Sequence, residues 1–247
     1  MKIAFQNENV TLWHGDCREW SGKADAVVSD PPYGMGYKPQ DWKKWDGSPQ
    51  DWTPLVGDDK PFDPSPWLGF PSVVLWGASY YLNRLPIGTV LVWDKRCHEN
   101  GDKMFGAAIE IGWTSAGKGG AEIKRLLHGG VVNADSSKGN NATRLHPTQK
   151  PVGLMTWCME RAKVEPGATV LDPYAGSGTT LIAALETGRK SIGIEIDERW
   201  VEVARRRLER WHAQGRLDFG TANAAPHLRG GAPAEPRNGG GACCAKE

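Results

Sequence analysis

The stretch TVLDPYAGSGTTLIAALETGRKSIGIEID, residues 169–197, constrains the fold of this chain more than any other. A β-branched run ends in Asp172, a glycine-containing turn follows, an apolar helical pattern stops at Gly188, and a second β-branched run ends in Glu195. Strand, turn, helix and strand within about thirty residues is the geometry of a nucleotide-type pocket. The loop itself excludes the commonest version of that pocket. A phosphate-binding P-loop needs Gly-Lys-Ser/Thr, and here Gly176 is followed by Ser177, Gly178, Thr179, Thr180 and Leu181. A dinucleotide fingerprint finds Gly176 and Gly178 but meets Leu181 at its third glycine, which weakens a hydride-transfer reading. An adenosine ligand without a pyrophosphate fits better. The glycines let the backbone approach closely, and Glu195 can accept hydrogen bonds from both ribose hydroxyls.

The rest of the chain agrees with an α/β fold built on a doubly wound, mostly parallel sheet. VTLW, ADAVVS, SVVLW and TVLVW read as further strands, several apolar on both faces as buried parallel strands are. Val152, Met155, Met159 and Ala162 fall at helical spacing after Pro151, a second helix is predicted over 179–187, and a third over 198–211. With 247 residues, 39% of them hydrophobic, the chain can bury one substantial core. One catalytic domain is therefore expected over 1–212, and the Gly-, Ala- and Pro-rich stretch 213–247 is expected to be a disordered tail. No apolar run approaches the ~20 residues of a membrane span, so a soluble, cytoplasmic protein is expected. Five cysteines, none in a C-x-x-C pair, read as reduced thiols and offer no metal site.

A second acid-ended strand, VVSDPPY, places Asp30 where strands of such a sheet open onto a ligand crevice. Pro31 and Pro32 have no N–H, so the stiff turn presents carbonyl oxygens beside the carboxylate. A group that accepts twice and donates nothing suits an exocyclic NH₂. Tyr33 then offers a flat face for a base. Read as structure alone, the same residues are an ordinary turn at a strand end.

DPPY at 30–33, HPTQKP at 146–151, DPYAGSGTT at 172–180 and GIEID at 193–197 together resemble the amino-group DNA methyltransferases that use S-adenosylmethionine, in the permuted β-class order with the catalytic motif ahead of the cofactor motif. The resemblance runs from about Val10 to Trp211 and implies a Rossmann-like methyltransferase fold. It implies that Asp30 and the Pro31 carbonyl hold the target amino group with Pro32 in the turn, and that Tyr33 stacks on the extruded base. The loop Asp172, Pro173, Tyr174, Ala175, Gly176, Ser177, Gly178 and Thr179 would cradle the cofactor's methionine portion. Glu195 would hold the ribose, and Asp16 would lie near the adenine. His146, Thr148 and Lys150 resemble the segment that closes over the methionine end; their alternative role is to cap the following helix.

The resemblance leaves a short target-recognition region, expected within 38–70 and 114–145. The first stretch carries Trp42, Trp45, Trp52 and Trp67 and is either a lid or binding loop or a surface excursion whose tryptophans pack. Over 115–150, Lys118, Lys124, Arg125, Lys138, Arg144 and Lys150 stand against Glu122 and Asp135, either a track for DNA phosphates or a solvated loop with incidental lysines, although the whole chain carries a formal charge of +1. The expected activity is methyl transfer to adenine N6 in DNA with base flipping, with S-adenosylmethionine as cofactor, DNA as partner and a homodimer allowed. Adenine is favoured by analogy, because Asp before Pro-Pro-Tyr is usual in N6-adenine relatives. Cytosine N4, an RNA or protein-glutamine substrate, and a catalytically silent DNA-binding subunit remain open.

Overall fold

The computed structural model describes residues 1–36, 55–96, 107–129, 132–133 and 149–213. One compact unit holds residues 1–214, and the expected tail lies outside the described residues beyond Ala213. The strands are β1 (Lys2–Gln6), β2 (Val10–His14), β3 (Ala26–Ser29), β4 (Ser72–Trp76), β5 (Thr89–Asp94), β6 (Ile109–Thr114), β7 (Ala121–Arg125), β8 (His128–Gly129), β9 (Val132–Asn133), β10 (Thr169–Asp172) and β11 (Lys190–Glu195). The helices are α1 (Val152–Arg161), α2 (Thr179–Glu186) and α3 (Glu198–Ala213).

Nine strands form one sheet in the order β1, β2, β11, β10, β3, β4, β6, β5, β7, and β8 and β9 pair as a separate hairpin. From β2 through β11, β10 and β3 to β4 every pairing is parallel. β6 runs antiparallel to both of its neighbours, and β1 is antiparallel at one edge. The carboxyl ends of β2, β11, β10, β3 and β4 therefore share one side of the sheet, and the reversed β6 brings its first residues to that side.

Alternation along the central strands divides the core. Ala26 and Val28 of β3, Val74 and Trp76 of β4 and Val170 of β10 point to α1 and α2. Their neighbours Val27, Val73, Leu75 and Leu171 point the other way. α2 also shares a cluster with α3 over Val10 and Leu12, so α1, α2 and α3 lie on one face. Among the described residues the opposite face is closed by short 3₁₀ turns at Cys17–Glu19, Ser65–Trp67, Ala78–Tyr80 and Leu82–Arg84, and by Phe62, Trp67 and Tyr81. The mostly parallel α/β sheet is as the sequence predicts; among the described residues its second face is covered by turns and aromatic rings.

Two stretches in which a target reader is expected are partly described. β7, expected as part of a target reader, is an edge strand of the main sheet, parallel to β5. Its side chains are largely exposed, so no apolar alternation marked it; the strand forms because the open edge of β5 offers backbone donors and acceptors. The stretch 38–70 is described only from residue 55. There Phe62 and Trp67 are buried and meet the Tyr174 ring edge-on at 5.8 and 6.1 Å, so this tryptophan packs. Trp42, Trp45 and Trp52 lie outside the described residues.

Candidate active site

The glycine loop joins the end of β10 to α2, with Gly176 and Gly178 at φ 50° and 78°. An L side chain rarely adopts such angles, which is why glycine stands there. Leu181, at the place of a dinucleotide fingerprint's third glycine, packs instead on Gly193 of β11, where an added Cβ would come within 2.7 Å of the leucine. The loop is held from two sides. Gly176 N–H donates to Glu195 Oε2 at 2.8 Å, and Arg207 of α3 donates to the Ser177 carbonyl at 2.6 Å, Ser177 Oγ at 3.0 Å and Thr179 Oγ1 at 3.1 Å. The hydroxyls of Ser177 and Thr179, expected beside a cofactor, accept from Arg207, which helps to fix the shape of the loop.

Glu195 ends β11 with its second oxygen accepting from Asp197 N–H at 2.8 Å. Each oxygen keeps a lone pair, so the carboxylate can still accept from a ribose diol. Burial pushes its carboxyl up to about 7, against the backbone donors of Asp197 and Gly176. Gly15 N–H donates to the Glu195 carbonyl at 2.9 Å and places Asp16 on the same rim, where its side chain accepts from Arg18 N–H at 2.9 Å and ion-pairs with the Arg18 guanidinium. Asp172 is buried, accepts from Ser29 Oγ at 2.6 Å and from Tyr174 N–H at 3.1 Å, and burial raises its carboxyl to about 6. Pro173, Tyr174 and Ala175 continue the loop, with Ala175 N–H bonded to the Ile194 carbonyl at 2.9 Å. Carboxylates, positive-φ glycines and a covered aromatic face in one crevice fit a nucleoside-bearing, cationic ligand.

The Asp30 turn stands next to this loop because β3 pairs with β10. The Tyr33 hydroxyl donates to Asp30 Oδ1, and the Lys150 ammonium donates to Asp30 Oδ2 at 2.6 Å. Burial raises the Asp30 carboxyl and the Glu110 charge adds to that, while Lys150 opposes it. Burial, with Asp30 and Glu110 nearby, pushes the Tyr33 phenol well up, so it remains a donor. The Tyr33 ring lies parallel to Tyr80, with centroids 5.3 Å apart and planes 14° apart. It passes so close to Gly77 that an added Cβ would sit 2.0 Å from its edge, and Gly77 has φ 72°. Pro31 is buried under the turn. Beyond it, Gly34 and Met35 N–H both donate to the buried Asp58 carboxylate at 2.8 and 3.1 Å, which anchors the turn from the described part of 38–70.

Lys150, expected with the segment that closes over a cofactor's methionine end, meets the Asp30 turn. It is buried between Asp30 and Glu110, with Nζ 3.1 Å from Glu110 Oε2. Asp30 and Glu110 outweigh burial and keep it an ammonium. Glu110 also pairs with Lys95, and the two lysines hold its carboxyl at about 2 against the pull of burial. His146, Thr148, Lys138 and Arg144 lie outside the described residues. Of the expected phosphate contacts, Lys124 and Arg125 lie on β7, where Arg125 meets Asp94 at 3.5 Å yet stays exposed, and Lys118 is exposed in the turn before that strand. Sequence reasoning missed Ser29, Asp58, Tyr80 and Glu110. Only Ser29 adjoins a motif; the other three are far from any motif in sequence, and no pattern flags them.

Residues 106–206 match the DNA methylase family N6_N4_Mtase. That segment takes in Glu110, Lys150, the glycine loop and Glu195; the Asp30 turn lies ahead of it. The chain is 42% identical over 83 residues to YubD of Escherichia coli (strain K12), covering 34% of this chain and 35% of that protein. It is 48% identical over 64 residues to the DNA adenine methyltransferase YhdJ of the same strain, covering 26% and 21%. The matched stretches thus span no more than 35% of the length of these two relatives. The solved PvuII DNA methyltransferase (cytosine-N4-specific) superposes over 82% of this chain and 87% of its own with a TM-score of 0.50 at 16% identity, which shows a shared fold.

Proposed function

We propose that this chain transfers a methyl group from S-adenosylmethionine to the exocyclic N6 of adenine in DNA, with the base turned out of the duplex. The observation that supports the reading is that the Asp30 turn stands beside Asp172, the glycine loop and Glu195, so that a carboxylate able to accept from an amine adjoins groups able to hold an adenosine ligand. Adenine is favoured because the YhdJ relative is named an adenine methyltransferase and because Asp precedes Pro-Pro-Tyr here.

Bound in that crevice, S-adenosylmethionine would supply an electrophilic methyl on a sulfonium. Glu195 and the loop orient it through the ribose and the methionine end. The amine of adenine is a weak nucleophile because its lone pair is delocalised into the ring. Hydrogen bonds from its two N–H groups to Asp30 and the Pro31 carbonyl localise that pair toward the methyl. Transfer of that methyl to the nitrogen, with the demethylated cofactor as leaving group, would release a proton from the amine, and Asp30 is the carboxylate placed to take it. Tyr33, with Tyr80 stacked on it, gives the extruded base an aromatic surface, and stacking of this kind is worth about 1–3 kcal/mol per base. DNA reaches the site along the β7 edge, where Lys124 and Arg125 stand, and the cytoplasm is the compartment proposed for the reaction.

Nucleoside mass spectrometry of duplex DNA treated with the protein and labelled cofactor tests the reading. N6-methyladenine is expected. N4-methylcytosine alone would overturn the base assignment, and label on RNA or protein but never on DNA would overturn the substrate. Sedimentation with and without duplex reads out whether two copies act together.

A further inference from the structure

We infer that Glu110 is a positioning residue of this site, which shares the Lys150 ammonium with Asp30 and takes it over when the target amine occupies the Asp30 carboxylate. The inference rests on the methyltransferase reading. Its starting point is a conflict at Asp30: the Tyr33 hydroxyl and the Lys150 ammonium already engage both of its oxygens. An amine arriving there meets a carboxylate whose charge is compensated, and such a carboxylate accepts hydrogen bonds and protons poorly. The conflict is resolved if the ammonium has a second seat nearby.

Glu110 provides one. Its Oε2 lies 3.1 Å from the same Nζ that is 2.6 Å from Asp30, so a shift of a few tenths of an ångström exchanges which carboxylate holds the cation. β6 runs against its neighbours, and this brings Glu110, its second residue, to the side where the parallel strands end. Lys95, pinned over the Trp93 ring at 5.1 Å, holds Glu110 from the far side. Two carboxylates and two ammoniums balance, so the buried Lys150 stays compensated in either seat. Glu110 lies outside all four sequence motifs.

The groups that face Asp30 are Lys150 ahead of α1, Tyr33 in its own turn, Glu110 on β6, Tyr81 in the 3₁₀ segment, Asp172 on β10 and Cys158 on α1. Removing Glu110 takes away a negative neighbour and leaves the ammonium on Asp30 alone. Removing Lys150 takes away the cation and leaves a buried acid. The two changes shift Asp30 in opposite directions, which burial or packing damage alone would not do.

The test is the pH dependence of kcat for full-length wild type, Glu110→Gln, Glu110→Asp and Lys150→Gln on duplex DNA at saturating S-adenosylmethionine, with KM for the cofactor and thermal unfolding measured alongside. For Glu110→Gln, kcat is expected to fall roughly 10- to 100-fold with KM for the cofactor unchanged. Its acid limb is expected to move down by roughly half a pH unit or more, and that of Lys150→Gln to move up. Glu110→Asp is expected to recover part of the lost rate. A Glu110→Gln protein with wild-type kcat, or acid limbs that move the same way in both variants, overturns the inference and leaves the activity standing. Should Glu110→Gln not fold, an unmoved acid limb in Lys150→Gln overturns it. A wild-type protein that methylates no nucleic acid overturns the reading and the inference together.

Discussion

The Ser29 hydroxyl donates to Asp172 Oδ1 at 2.6 Å across 143 residues of sequence. It ties the last residue of β3, next to Asp30, to the last residue of β10, at the mouth of the glycine loop. Ser29→Ala leaves a buried carboxylate oxygen with only the Tyr174 N–H, so it should cost about 1–3 kcal/mol of stability. It should also raise the Asp172 carboxyl further above about 6. Denaturant unfolding at pH 8, where Asp172 is ionised, should show the loss; a midpoint equal to wild type would mean that the hydrogen bond contributes nothing.

Asp30→Ala should abolish turnover and leave cofactor binding nearly intact, because in the proposed reaction Asp30 acts on the amine and Glu195 on the ribose. Calorimetry with S-adenosylmethionine, run beside the methylation assay, separates the two. A variant that still methylates at a rate near wild type would remove Asp30 from the chemistry.

Glu195→Gln should weaken cofactor binding by about 1.5–3 kcal/mol, the usual worth of a hydrogen bond to a charged group. The sign of the pH effect follows from burial. The folded-state carboxyl sits at about 7, above its ordinary 4.5. Between those values the folded protein holds a proton that the unfolded chain has lost, so Glu195 makes the unliganded fold less stable as pH rises from 4.5 toward 7, with no further change above. Cofactor affinity runs the other way, because only the ionised group accepts from both hydroxyls. Wild-type affinity should rise about tenfold from pH 6 to 8, and the variant's should stay flat. Equal slopes in both proteins would take Glu195 out of the ligand site.

Gly77→Ala places a methyl 2.0 Å from the Tyr33 ring at a φ of 72°. The backbone alone should cost about 1–2 kcal/mol, and the ring must move with its hydroxyl off Asp30. The expected result is a lower kcat with an unchanged cofactor dissociation constant. If Tyr33 is only packing, stability will fall and kcat will not.

Replacing Lys124 and Arg125 together with Ala should lower affinity for all DNA sequences and reduce the salt slope by about 0.9 for each phosphate that is no longer neutralised. Filter binding across a salt series reads the slope. An unchanged slope would move the phosphate track off β7. The basic run of α3 is then a poor substitute, since Arg205 and Arg206 are paired with Glu202 and Glu209 and Arg207 holds the glycine loop.

Local pattern by itself determined six of the strands, the three helices and the strand, loop, helix and strand around Asp172 and Glu195. In those segments burial follows strictly from periodicity and turn chemistry, and neither depends on distant partners. β1 and β7 escaped because they are mostly exposed edge strands, whose existence depends on the unpaired backbone of a neighbour and leaves no apolar mark. The site divides in the same way. Asp30, Asp172 and Glu195 are visible because each closes an apolar, β-branched run. That Lys150 lies on Asp30, that Glu110 shares it, and that Asp58 anchors the turn were decided only by the tertiary structure. A buried charge must find its counter-charge in space, and the reversal of β6 and the pairing of β3 with β10 settle which carboxylates are within reach.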